Sequence, residues 1–142
     1  MLKKVICKGN SCAMERIQPS VSAGDTFLVA QPFNHLYVVC SDPRIDTSKV
    51  LLVSFTTFRI KEEKCCMVER GEHPFIQHKS CIRYRDAKTA SIDAIVRLVN
   101  ANQMKRREPV SEDLLARIRK GAGESEYLPE EHRRLLQDQN LI

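Results

Sequence analysis

No apolar run in these 142 residues approaches the roughly 20 needed to span a bilayer as a helix. The N-terminal MLKKVICKGN carries two lysines, but its apolar run is too short for a secretory segment, so a cytoplasmic location is the expectation. There is no internal repeat and no low-complexity stretch. Six cysteines are present, yet no CxxC pair or HxxxH motif joins them. Cys7 and Cys12 have a loose ligand spacing, and a zinc site there stays open as an alternative. Neither a metal nor a cofactor is expected. Cys40, Cys66 and Cys81 lie in or beside apolar runs, where a free thiol serves as a small hydrophobe.

What is present fits one globular domain. Hydrophobic residues make up 42% and charged residues 29%, enough for a buried core with a solvated surface. The formal net charge of +5 favours acidic partners, nucleic acid first.

Residues 1–20 are polar and aperiodic and read as an arm, with residues 21–142 as the folded domain. Gly24-Asp25 is a turn signal, followed by a strand over 26–30. Residues 31–34 form a loop. His35 to Ser41 reads as a second strand, and Lys49 to Thr57 (KVLLVSFTT) is the strongest strand signal of the chain. Short strands follow over 65–69 and 80–84, with a Pro74-containing loop from Gly71 to His78 between them. Ile92, Ile95, Val96 and Val99 recur at helical spacing, although Ala94 to Val96 also suits a final strand. Ser111 is the expected N-cap of a helix that Gly121 and Gly123 stop. Pro129 opens a last helix. Short successive strands followed by helices predict a mainly β fold, a small antiparallel barrel with C-terminal helices.

The chemistry concentrates in GEHPFIQHKSCIRYRDAKT, residues 71–89. Acid–base work on a phosphate-bearing ligand needs a base, an acid and cationic donors. His73 and His78 are the titratable pair, and Arg83 with Arg85 would grip a phosphate. Thr57 offers a hydroxyl at a strand end. Phe75 and Tyr84 are candidate stacking partners for an unpaired base. A bland reading stands beside each of these: a satisfied His-Pro turn, and a charged edge that deters aggregation. Tyr37 and Phe55 read as core, and Lys105-Arg106-Arg107 as a solvated helix end or loop.

The order GDTFLVA, HLYVVCSDP, KVLLVSFTT, SCIRYRDAKT over roughly residues 23–123 resembles the PemK/MazF-type toxin family. The resemblance implies an SH3-like barrel, a homodimer, cleavage of single-stranded RNA, and control by an antitoxin protein. It places Arg83 at the family's arginine. Arg85 stands where the acid is usual, and Asp86 follows one residue later. Arg85 and Lys88, with Tyr84 and Phe75, would then contact RNA. The alternative is a barrel without catalysis that binds nucleic acid or a protein.

Overall fold

A computed structural model of the chain describes residues 20–30 and 34–142. The elements are β1 (Thr26–Val29), β2 (His35–Val39), β3 (Lys49–Thr57), β4 (Met67–Val68), β5 (Ser80–Ser91), α1 (Ile92–Asn100), β6 (Lys105–Arg107), α2 (Glu112–Glu124) and α3 (Glu130–Asp138). The expected arm (Ser20 apart), the Cys7 and Cys12 pair, and most of the 31–34 loop lie outside the described residues.

The strands form one six-stranded antiparallel sheet, ordered β4-β5-β3-β2-β1-β6 and curled into a half-barrel, with helices following at the C-terminal end. β3 is its spine. Six of its nine residues are buried, because alternate β-branched and apolar side chains feed a core on each face. Leu51, Val53 and Phe55 join Leu36, Val38, Ile82 and Tyr84 under Leu114 and Ile118 of α2. Val50 and Leu52 join Phe27, Val39 and Ile95 of α1 on the other face. Ser91 and Ser111 cap α1 and α2 through side-chain oxygens that accept from Ala94 and Leu114 N–H groups. α3 is tied back where the Gln139 Oε1 accepts the buried Asp42 N–H at 2.8 Å. Among the described residues no helix is long and apolar enough to cross a membrane.

Three local expectations change. β5 does not end at Tyr84 but continues to Ser91. Two steps along β3, Leu52 to Ser54, face five steps along β5, Arg83 to Lys88, so the charged stretch sits in a bulge and pairing resumes beyond it. The helical spacing of Ile92 to Val99 is realised in α1, where Ser91 supplies a cap and Ile95 a buried anchor, and the strand alternative for Ala94 to Val96 falls away. The segment Lys105–Arg107 is a strand, not a helix end. It pairs with β1 and closes that edge with three exposed cationic residues.

The third change is at Gly121 and Gly123, which do not stop α2; it runs to Glu124. A Cβ on Gly121 would lie 2.3 Å from the Tyr84 hydroxyl and 2.9 Å from the Cys65 carbonyl oxygen. The glycine lets the helix approach β5 closely.

Candidate functional site

β2 begins, β3 ends and β5 begins at the same end of the sheet, and the loop from Glu69 to Lys79 folds against that end. Together they enclose a pocket of about 320 Å³. His35 and Asn34 line it from the start of β2, and Thr56 and Thr57 from the end of β3. Phe75, Gln77 and His78 line it from the loop, with Phe55 and Ile76 as apolar lining. Among the described residues no lysine or arginine lines it.

The loop is held in shape by its own chain. Gly71 adopts φ +91°, and its N–H donates to the Ile76 carbonyl at 3.1 Å. The Ile76 N–H donates to the His73 carbonyl at 2.9 Å, and the Ser80 hydroxyl donates to the His78 carbonyl at 2.8 Å. Arg117 of α2 anchors the loop's base by pairing with Glu72 and by donating to the Met67 carbonyl at 3.0 Å.

His73 lies beneath this loop. It is only 3% exposed, and its ring stacks on Phe55 with centroids 6.5 Å apart. Its Nδ1 accepts the Phe75 N–H at 3.0 Å, which leaves Nε2 to donate to the Glu108 carbonyl. Both ring nitrogens therefore have backbone partners, and no lone pair is turned toward the pocket. A histidine fixes this corner, where a phenyl ring would leave Phe75 N–H without an acceptor.

The sheet face beside the pocket is cationic and aromatic. The His35 and Tyr37 rings are 6.2 Å apart, and the Lys88 ammonium lies 4.5 Å from the Tyr37 ring centroid. Tyr37 stands across from Ser54, which stands across from Arg83, so these three share a face. At the far end of β3, Phe58 is faced by Lys79 at 5.8 Å and Lys64 at 6.0 Å.

Of the residues singled out from sequence, His78, Thr57 and Phe75 line the pocket together. His73, Arg83 and Asp86 are not in its lining. Arg83 is held by Asp86 at 3.4 Å and Glu62 at 3.9 Å. Arg85 stacks on Tyr127 at 4.8 Å, so the bulge gives the two guanidinium groups separate partners and they do not form a common clamp. Lys88 belongs to the Tyr37 face.

Tyr84, expected to stack on a base, is 1% exposed, and its hydroxyl donates to the Ile118 carbonyl at 2.7 Å. It points inward because β5 alternates and Tyr84 falls on the face that α2 covers. Burial pushes its phenol, and the Cys66 thiol beside it (to about 11), well above their usual ranges.

The pocket also contains side chains that sequence reasoning passed over: His35, Asn34 and Thr56, with Tyr37 nearby. One signal was available. His35 is a polar residue at the mouth of an apolar strand, where nothing in a core calls for it. Among the described residues no group of three or more His, Cys, Asp or Glu side chains is placed to hold a metal ion.

A pocket pairing two imidazoles with two threonine hydroxyls, flanked by exposed lysines, suits acid–base work on a phosphate ester better than binding of an apolar molecule. No family model matches the chain, and no curated protein matches it.

Proposed function

We propose that the chain is an endoribonuclease of the PemK/MazF toxin type, cutting single-stranded RNA without metal, and that His35 and His78 carry the proton transfers. The observation that carries this reading is that both rings line one pocket with Thr56 and Thr57. One imidazole takes the proton of a ribose 2′-hydroxyl as its oxygen attacks the adjacent phosphorus. The other gives a proton to the departing 5′-oxygen. The products are a 2′,3′-cyclic phosphate and a 5′-hydroxyl, and the two rings end with their protonation states exchanged. The threonine hydroxyls donate to the phosphate oxygens as charge builds. In this reading the half-barrel is the family's SH3-like barrel and the chain works as a cytoplasmic homodimer. An antitoxin silences it by laying an acidic segment across the pocket.

The test is incubation of purified protein with single-stranded RNA in the presence of a chelator. The wild type releases cyclic-phosphate ends, His35→Ala and His78→Ala each slow cleavage about 10²- to 10⁴-fold, and the double variant is inert. RNA left as intact by the wild type as by the double variant sinks the reading.

One observation favours the non-catalytic alternative: among the described residues no lysine or arginine lines the pocket, and Arg83 is occupied by Asp86 and Glu62. That alternative gives salt-dependent RNA binding with no new ends.

A further inference from the structure

Among the described residues the pocket lining holds no lysine or arginine, while three lysines stand over aromatic rings outside it. We infer that two lysine–aromatic pairs, Phe58 with Lys64 and Lys79 on one side of the pocket and Tyr37 with Lys88 on the other, carry a single RNA strand across the pocket mouth. This rests on the reading of the chain as an RNA-directed protein and adds the path of the substrate.

β3 acts as the ruler. Phe58 follows its last residue, and its N–H donates to the Lys79 carbonyl at 3.0 Å. Tyr37 stands opposite Ser54. Phe58 lies four residue steps beyond Ser54, about 13 Å of extended chain. Thr56 and Thr57 of the pocket lie between the two rings. Both rings are half-buried, so each is anchored in the sheet and still offers part of its surface. Lys88 lies 4.5 Å from the Tyr37 centroid, and Lys79 and Lys64 lie 5.8 and 6.0 Å from that of Phe58.

Lysine stems do cover apolar rings for packing alone. Here, however, none of the three lysines has a carboxylate partner among the described residues, whereas Arg44, Arg106 and Arg117 all do. Uncompensated cations alternating with planar rings match a ligand that alternates anions with planar bases, which is a single nucleic-acid strand. The arrangement also answers the lack of lysine and arginine in the pocket. Charge on the flanking phosphates is met outside, and the pocket keeps only groups that donate or exchange protons.

The experiment measures binding of a labelled, non-cleavable 2′-O-methyl oligoribonucleotide by anisotropy across a salt series. Cleavage of unmodified RNA is read separately. Tyr37→Leu and Phe58→Leu each weaken binding about tenfold, and Tyr37→Phe restores it. Lys79→Gln and Lys88→Gln each lower the slope of log affinity against log salt by about 0.7. A duplex of the same sequence binds more weakly. Because both lysines replaced are exposed, their variants report even if a ring variant misfolds. If the wild type binds and cleaves while all four variants keep its affinity and salt slope, the path is wrong and the ribonuclease reading survives. If the wild type neither binds nor cleaves, both fall.

Discussion

Replacing Gly121 by alanine tests the packing that sets α2 against β5. The added methyl would meet the Tyr84 hydroxyl at 2.3 Å and the Cys65 carbonyl oxygen at 2.9 Å, where ordinary contact begins near 3.4 Å. Neither obstacle gives way cheaply: one is backbone, and the other ends a rigid ring that is 1% exposed and bonded to Ile118. Overpacking of this kind costs up to about 3 kcal/mol. Alanine regains about 1 kcal/mol of helix propensity over glycine. The net loss is then up to about 2 kcal/mol, or about 7 °C of melting temperature for a chain of this length.

The second half of the cycle is Tyr84→Phe. It loses the hydrogen bond to the Ile118 carbonyl, about 1 kcal/mol, and removes the nearest obstacle to the methyl. In that background Gly121→Ala should cost about 1 kcal/mol less, a coupling that chemical denaturation of the four proteins measures. Gly121→Ala with unchanged or raised stability would refute the close approach. Strict additivity would refute the role given to the hydroxyl.

Two further outcomes follow from buried groups. His73→Phe keeps the ring stacked on Phe55 but leaves the Phe75 N–H without an acceptor. It should cost about 2 kcal/mol in urea denaturation, and no loss would show that the imidazole does not hold the loop. Burial pushes the Cys40 thiol from 9.0 to about 12, and those of Cys66 and Cys81 from 9.0 to about 11. Thiols whose folded values are raised contribute stability that is complete below pH 9.0 and lost as pH rises toward about 11 to 12. Alkaline melts should therefore show a decline from about pH 9 that Cys81→Ala reduces, and a flat profile would refute it. Of the four described cysteines, half-buried Cys65 should react first with a thiol reagent.

The sequence by itself determined the longest unbroken strand and the helix starts, though not the second half of β5 or the short β6. β3 was legible to its last residue, because a run of apolar and β-branched side chains buried on both faces has no competing helical reading. The cap of α2 was equally plain in Ser111 with Glu112 and Asp113. Phe75 and His78, close in sequence, line the pocket together, and the pairing of Thr57 with Ser80 across β3 and β5 brings Thr57 to them.

Tertiary structure alone decided the rest. A histidine reads the same whether its nitrogens meet solvent or backbone. Only the docking of the 69–79 loop on Glu108 made His73 a fastener, and only the start of β2 beside the end of β3 brought His35 to the pocket. The bulge in β5 gave Arg83 and Arg85 separate partners, although their spacing of two suggested one face. Gly121 looked like a helix stop until Tyr84 stood beneath it. Local pattern encodes hydrogen-bonding periodicity and burial. Which polar atoms meet each other depends on contacts between residues far apart in the chain, and those exist only once the sheet has curled.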